Sequence, residues 1–137
     1  MQVRLATKIV TFWRSRVREV CSPLGWKGSN MDEITPKEFK QQWDEGRRPV
    51  LIDVRQPDEW EVCNLEEFGA KLIPLGEIQQ RFQEIPKDGD IVMQCRSGGR
   101  SGQAQGFLKA QGYTKVQNLV GGMLRWSDEV DSSKAKY

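Results

Sequence analysis

Histidine is absent from the chain of 137 residues. A protein without imidazole cannot contain a Ser-His-Asp or Cys-His catalytic pair, or a zinc site that depends on histidine ligands. Any nucleophile in this chain must therefore be activated by backbone dipoles, by Lys or Arg, or by carboxylates.

Cysteine and long apolar runs are also scarce. The three cysteines, Cys21, Cys63 and Cys95, lack metal-type spacing, which argues against a disulfide framework and is typical of a reducing compartment, so we expect a cytoplasmic location. No apolar run approaches the ~18 residues that a membrane-spanning helix needs. With 37% hydrophobic and 29% charged residues, the composition predicts one soluble, globular domain.

Charge is distributed unevenly along the chain. Residues 1–30 contain six basic residues and one acidic residue, whereas the remainder contains 15 basic and 18 acidic residues. We therefore expect a basic N-terminal extension over 1–30, a globular domain over 31–130 and a polar, frayed tail over 131–137. The domain lacks the broad positive face that binding to nucleic acid requires, so no nucleic-acid partner is predicted.

The extension has an apolar residue every three or four positions, including Val10, Trp13 and Val17, which predicts an amphipathic helix. Three interpretations stay open. It is a solvated extension ahead of a true start at Met31, a basic helix that contacts a membrane surface or a partner, or a transit peptide that would direct the protein to an organelle.

From residue 31 onward, short apolar runs alternate with helical patterns. Thr35 and Pro36 predict the start of a first helix, which Gly46 ends. The predicted strands are "PVLIDV", "AKLIPL", "DIVMQC" and "VQNLV", and the later helices are "EIQQRFQEI", "SGQAQGFLKAQG" and "GGMLRWSDEV". This order predicts an α/β fold with a mainly parallel sheet, whose active site lies beyond the carboxyl ends of the strands. Asp53 and Cys95 each stand at such an end.

The segment "CRSGGRS", residues 95–101, has the features of an anion-binding loop. It follows a strand and opens a helix, whose N-terminus presents unpaired N–H groups and partial positive charge. Gly98 and Gly99 allow successive amides to curl inward, and Arg96 and Arg100 add fixed positive charge. We therefore expect a lowered pKa for the Cys95 thiol and a nucleophilic thiolate.

The spacing within this loop favours sulfur chemistry over phosphate chemistry. Four residues, "RSGG", stand between Cys95 and Arg100, whereas a tyrosine-phosphatase loop has five residues between its cysteine and its arginine. Ser101 occupies the position at which that arginine would fall. The tighter loop should accommodate one extra sulfur atom better than a tetrahedral phosphate.

Three ordered motifs, "LIDVRQPDEW", "CRSGGRS" and "NLVGGMLRW", resemble the rhodanese-like family over about Glu33 to Trp126. The resemblance implies a single rhodanese-like domain with a central parallel sheet of about five strands, flanked by helices on both faces. It also implies a sulfurtransferase of the thiosulfate type, in which Cys95 takes a sulfane sulfur as a persulfide and passes it to a thiophilic acceptor. That acceptor is a thiol or a sulfur-carrier protein, and no metal or organic cofactor is needed.

The resemblance also suggests roles for the surrounding residues. Asp53 and Arg55 match the early motif and are interpreted as structural support for the site, and Glu59 is interpreted as part of a helix start. Two alternatives to the enzyme are a rhodanese module used only for binding and a phosphatase or arsenate reductase of the same fold. The loop that would bind the anionic donor comprises Arg96, Ser97, Gly98, Gly99, Arg100 and Ser101.

The segment "CNLEEFGAKLIP" departs from the family pattern, because Cys63 and Asn64 stand where many members have glycine and histidine. Cys63 is interpreted as a small packed thiol. The alternative is a second redox cysteine that pairs with Cys95 or receives sulfur from it. A similar cysteine occurs in rhodanese domains attached to enzymes that activate ubiquitin-like proteins, which suggests sulfur supply to a carrier protein.

Overall fold

The structure of the protein is a computed structural model that describes residues 32–136. The predicted basic extension over 1–30, with its Cys21, lies outside the described residues, and its role stays a prediction. Within 32–136, no helix is both long enough and apolar enough to cross a bilayer.

Five parallel strands form one sheet, which confirms the predicted α/β architecture. The strands are β1 Glu33–Ile34, β2 Val50–Asp53, β3 Lys71–Leu72, β4 Ile91–Gln94 and β5 Val116–Leu119. Their order across the sheet is β1-β5-β4-β2-β3, so β4 lies at the centre. The carboxyl end of β4, where Cys95 follows, is therefore enclosed by the ends of β2 and β5.

The two edge strands differ from the sequence prediction. The sequence does not predict β1, because two residues are too few to show a period. Its pairing with β5, Glu33 with Asn118 and Ile34 with Leu119, defines this strand. The strand predicted over 70–75 is reduced to β3. It ends because Pro74, which has no N–H to donate to the sheet, leads into a turn of 3₁₀-helix at Leu75–Glu77.

Five α-helices connect and cover the strands: α1 Pro36–Asp44, α2 Pro57–Val62, α3 Ile78–Arg81, α4 Gly99–Ala110 and α5 Gly122–Glu129. Helix α1 begins as predicted, since the Thr35 hydroxyl accepts a hydrogen bond from the Glu38 N–H and the Glu38 carboxylate accepts one from the Thr35 N–H. Helix α4 begins two residues earlier than predicted, at Gly99. Its N-terminus therefore lies directly at the Cys95 loop.

Apolar side chains cover both faces of the sheet, as the continuous apolar strands predict. Successive residues of β2 and β4 point to opposite faces. Ile52 and Met93 therefore belong to the cluster that includes Leu108 of α4. The cluster on the other face comprises Ile34, Phe39, Leu51, Leu65, Ala70, Val92, Leu119, Met123 and Trp126.

The C-terminal segment is held against the domain. Lys134 Nζ donates to the Asn64 carbonyl at 2.8 Å and to Glu67 Oε1 at 2.9 Å, and its side chain is only 17% exposed. The expectation of a frayed tail is therefore wrong for residues 131–136, because a lysine in the tail finds two acceptors in a distant loop.

Candidate active site

Cys95 lies at the predicted position, in the loop between β4 and α4. Its residue surface is 1% exposed, so the thiol is buried beneath the loop that follows it. Gly98 has a φ of +106°, a left-handed conformation that glycine adopts without strain, and this turn directs the loop back over the sulfur.

Three hydrogen-bond donors converge on Cys95 Sγ. The Gly98 N–H lies 3.0 Å from the sulfur, and the N–H and the hydroxyl of Ser101 each lie 3.4 Å from it. Sulfur accepts hydrogen bonds at longer distances than oxygen and holds them best as an anion. The loop therefore brings Cys95, Gly98 and Ser101 together as a site that suits a thiolate.

The pKa of the Cys95 thiol reflects a balance of two opposing effects. Burial raises the pKa, and the hydrogen bonds from the Ser101 side chain and from the N–H groups of Ser101, Gly98 and Ser97 lower it. The hydrogen bonds outweigh burial, so the pKa lies below its ordinary value. This direction agrees with the expected thiolate.

The N-terminus of α5 fixes the backbone on which the sulfur depends. The Met123 N–H donates to the Cys95 carbonyl at 2.9 Å, and the Leu124 N–H donates to the Arg96 carbonyl at 3.0 Å. Gly122 permits this approach, because a Cβ at this position would lie 2.3 Å from the Cys95 carbonyl oxygen. The glycine therefore allows close backbone contact between α5 and the Cys95 loop.

The two arginines of the loop have different environments. The Arg100 guanidinium binds both carboxylate oxygens of Glu59, with N–O distances of 2.7 and 2.9 Å. Arg96 is exposed, and within residues 32–136 its side chain has no carboxylate partner. Sequence reasoning missed Glu59 as part of this site and interpreted it only as a helix start.

Asp53 and Arg55 form a fully buried ion pair at the end of β2. Arg55 Nη2 lies 2.7 Å from Asp53 Oδ2 and also donates to the Cys63 carbonyl at 2.8 Å. Because the pair ties the strand end to the segment after α2, its geometry fits the predicted structural role, and that role stays a prediction. Neither residue contacts the sulfur of Cys95 directly in the hydrogen bonds described for 32–136.

Cys63 is half-buried at the end of α2, and its thiol donates to the Ala135 carbonyl at 3.2 Å. Both Cys63 and Cys95 are free thiols. The contact with the C-terminal segment explains how a thiol is accommodated at this position. A redox or sulfur-accepting role for Cys63 stays a prediction.

Asn118 of β5 is the second residue that sequence reasoning missed. Its Oδ1 accepts a hydrogen bond from the Ser101 hydroxyl at 2.5 Å, and its Nδ2 donates to the Gly98 carbonyl at 3.1 Å. The feature of the sequence that could have identified Asn118 is its position at the start of "NLVGGMLRW", one of the motifs that carry the family resemblance.

Within 32–136, no three Cys, Asp or Glu side chains are grouped as metal ligands. The site is built from one thiol, backbone N–H groups, a hydroxyl and two arginines, which suits an anionic ligand.

Known proteins are similar to this chain in sequence. A protein named "Sulfurtransferase" from Allochromatium vinosum is 38% identical over 97 residues, which cover 71% of this chain and 89% of that protein. The probable adenylyltransferase/sulfurtransferase MoeZ of Mycobacterium tuberculosis is 34% identical over 113 residues; these are 81% of this chain but 28% of MoeZ. The chain therefore spans less than a third of that relative.

The fold agrees with a solved structure as well. The crystal structure of a rhodanese-like domain protein from Staphylococcus aureus superposes with a TM-score of 0.66 at 30% identity, covering 72% of this chain and 94% of that one. The family model of the rhodanese-like domain matches residues 35–129, which include the strands β2–β5 and the Cys95 loop. On the agreement of fold, motifs and family model, the chain belongs to the rhodanese-like domain family.

Proposed function

We propose that this rhodanese-like domain is a sulfurtransferase in which Cys95 is the nucleophile and carries the transferred sulfur as a persulfide. The observation that supports the proposal most strongly is the convergence of the Gly98 N–H, the Ser101 N–H and the Ser101 hydroxyl on one buried sulfur. A structural cysteine in a core would not require three donors, whereas a thiolate does.

The first half-reaction is a displacement at sulfur. The Cys95 thiolate attacks the outer sulfur of thiosulfate, a new S–S bond forms, and the bond to the sulfonate sulfur breaks with release of sulfite. The outer sulfur keeps the negative charge that it had in thiosulfate, and the electron pair of the broken bond leaves with sulfite, so no oxidant or proton is needed. The exposed Arg96 and the adjacent Ser97 are the groups that would orient the dianionic donor.

In the second half-reaction, a thiolate of the acceptor attacks the outer sulfur of the persulfide and releases Cys95 as a thiolate. We propose that the acceptor is a thiol or a sulfur-carrier protein. MoeZ, which joins adenylyltransferase and sulfurtransferase in its name, supports a sulfur-carrier protein as the acceptor. The exposure of Arg96 and Ser97 is compatible with a protein acceptor, since the loop is not covered by the described domain.

The test is the intact mass of the purified protein after incubation with thiosulfate. Wild-type protein should gain the mass of one sulfur atom, and cyanide should remove it as thiocyanate. Cys95→Ser should gain nothing while keeping its fold, and Cys63→Ser is the matched control that should behave like wild type.

Three results would contradict the proposal. A sulfur adduct that persists in Cys95→Ser would assign the chemistry to another cysteine. Hydrolysis of a phenyl phosphate by wild type, with no adduct from thiosulfate, polysulfide or a persulfidated protein, would favour the phosphatase alternative. A folded protein with neither activity would indicate a binding module.

A further inference from the structure

Asn118 makes two hydrogen bonds to the active-site loop from a neighbouring strand. Its Nδ2 donates to the Gly98 carbonyl at 3.1 Å, and its Oδ1 lies 2.5 Å from the Ser101 hydroxyl oxygen. Gly98 and Ser101 are also two of the residues that donate to Cys95 Sγ. Asn118 therefore contacts both donors without contacting the sulfur.

The orientation of the Asn118 amide follows from its partners. The Gly98 carbonyl can only accept a hydrogen bond, so the amide must present its NH₂ group there and its oxygen to Ser101. An amide oxygen carries no proton. The Ser101 hydroxyl is therefore the donor in the 2.5 Å contact, and the proton that can reach Cys95 Sγ is shared with Asn118.

The Ser101 hydroxyl has one proton and two acceptors in reach, Asn118 Oδ1 at 2.5 Å and Cys95 Sγ at 3.4 Å. When Cys95 is a thiol, there is no conflict, because S–H can donate to the hydroxyl oxygen while the hydroxyl donates to Asn118. When Cys95 is a thiolate, its sulfur can only accept, and the same proton is needed in two places.

We propose that Asn118 is a positioning residue for Cys95: it competes with the Cys95 thiolate for the Ser101 hydroxyl proton. Asn118 thereby makes the thiolate less strongly solvated than the loop alone would make it. A thiolate with fewer hydrogen bonds is the better nucleophile.

The effect of Asn118 on the persulfide form of Cys95 rests on the proposed function, because that function produces the persulfide. Once sulfur is transferred, Sγ is bonded to two atoms and the negative charge lies on the outer sulfur. The Ser101 hydroxyl can then return to Asn118, where the acceptor is closer. Asn118 therefore stabilises the persulfide form relative to the thiolate form of Cys95.

Charged groups near the site are unaffected by changes at Asn118. They are Arg96 in the loop, Arg100 with its partner Glu59, and the Asp53–Arg55 pair at the end of β2. Since these groups are the same in every Asn118 variant, a change in the titration of Cys95 reports the hydrogen bonds.

The experiment measures the rate at which iodoacetamide alkylates Cys95, as a function of pH, by mass spectrometry of the Cys95 peptide. In Asn118→Leu the Ser101 hydroxyl can donate its proton to the thiolate without competition. The midpoint of the pH dependence of the alkylation rate should therefore move to lower pH by about half a pH unit. In a Ser101→Ala background, Asn118→Leu should cause no such decrease, because the shared proton is gone.

The matched control is Gln117→Leu, the same chemical change at the preceding residue, whose amide donates instead to the Glu33 carbonyl. Its midpoint should equal that of wild type. If Asn118→Leu does not fold, Asn118→Ala replaces it in both backgrounds. The proposal is overturned if the midpoint is unchanged or rises, or if it falls equally in the Ser101→Ala background.

This measurement does not depend on sulfur transfer. Loss of thiosulfate labelling together with an intact Asn118–Ser101 coupling would contradict the proposed function but support the positioning of the thiolate. Normal labelling by thiosulfate, with no dependence of the Asn118→Leu effect on Ser101, would overturn the role of Asn118 and leave the proposed function standing.

Discussion

Glu59 binds the guanidinium of Arg100 through both carboxylate oxygens, and so joins helix α2 to the first turn of α4. The residues are 41 positions apart in sequence. Glu59 is 8% exposed and also accepts a hydrogen bond from the Gln56 N–H, which fixes the carboxylate at the start of α2. One of the two loop arginines thus has its charge partly neutralised by a fixed carboxylate, and Arg96 does not.

The first prediction separates the two arginines. Arg100 is paired with Glu59, whereas Arg96 has no carboxylate partner within residues 32–136. Arg100→Ala should lower the free energy of unfolding by about 2 kcal/mol, because it leaves a buried carboxylate unpaired. Arg96→Ala should change stability by less than about 0.5 kcal/mol but raise KM for thiosulfate about fivefold.

Urea unfolding and steady-state kinetics on both variants check this prediction. Arg47→Ala is the matched control, since it removes an exposed positive charge just before β2, at the amino end of the sheet and opposite the site. Its KM should equal that of wild type. Equal loss of stability in Arg96→Ala and Arg100→Ala would contradict the structural assignment of Arg100.

The second prediction concerns the pH dependence of stability. The hydrogen bonds from Arg100 lower the pKa of Glu59 from its ordinary value of 4.5 to about 2. A carboxylate with a lowered pKa stabilises the folded state at neutral pH, and this contribution is lost as pH falls from about 4.5 towards 2. The Arg100 side chain is 32% exposed, so solvent screening reduces the expected contribution to about 1–2 kcal/mol.

Glu59→Gln isolates this effect. Between pH 7 and 5 the free energy of unfolding of the variant should be about 1–2 kcal/mol lower than that of wild type. This difference should shrink as the pH is lowered through about 4 to 2. Urea unfolding at each pH measures both curves. A constant difference across this range would show that Glu59 contributes through packing and not through its charge.

The parts of the site that sequence predicts are those that are adjacent in the chain. Cys95, Gly98 and Ser101 lie within seven consecutive residues, and the strand before them and the helix after them fix their geometry locally. Glu59 and Asn118 come from other elements. Their contacts depend on the order of strands in the sheet, which periodicity does not encode.

The elements of the fold also divide into those with a local sequence signal and those that depend on distant partners. Strands β2, β4 and β5 have continuous apolar runs or strong flanking signals, so the sequence predicts them within one or two residues. Strand β1 exists only because its backbone pairs with β5, and the tail at 131–136 is held by a lysine that reaches Asn64. Both depend on long-range partners and have no local signature.

The third prediction tests the close approach of α5 to the Cys95 loop. Gly122 has a φ of +54°, and a Cβ there would lie 2.3 Å from the Cys95 carbonyl oxygen and 2.6 Å from that of Arg96. Gly122→Ala should therefore cost at least about 3 kcal/mol of unfolding free energy, from backbone strain and from displacement of the loop. Sulfur transfer should fall with it.

The matched control is Gly106→Ala, because a Cβ at Gly106 would meet no atom within 4 Å. Gly106 lies in the exposed part of α4, where alanine should add about 0.5–1 kcal/mol of stability. Thermal unfolding of the two variants should give shifts of opposite sign. A Gly122→Ala protein as stable as wild type would refute the contact between α5 and the loop.

The last prediction follows from the position of the C-terminal segment over Cys63. The Cys63 thiol donates to the Ala135 carbonyl at 3.2 Å, and Lys134 anchors the same segment to Asn64 and Glu67. The segment therefore limits access of reagents to a thiol that is otherwise at the edge of α2. Reactions at Cys63 should then report whether the segment is in place.

Removal of residues 131–137 should raise the rate of alkylation of Cys63 about fivefold, the effect of losing a local closure worth about 1 kcal/mol. Alkylation of Cys95 in the same sample is the internal reference and should not change. Lys134→Ala should reproduce part of the increase, whereas Lys136→Ala, which removes only an exposed ion pair with Asp128, should not. If Cys63 reacts equally fast with and without the segment, the segment does not cover it in solution, and the packing of Lys134 contributes nothing to the protection of this thiol.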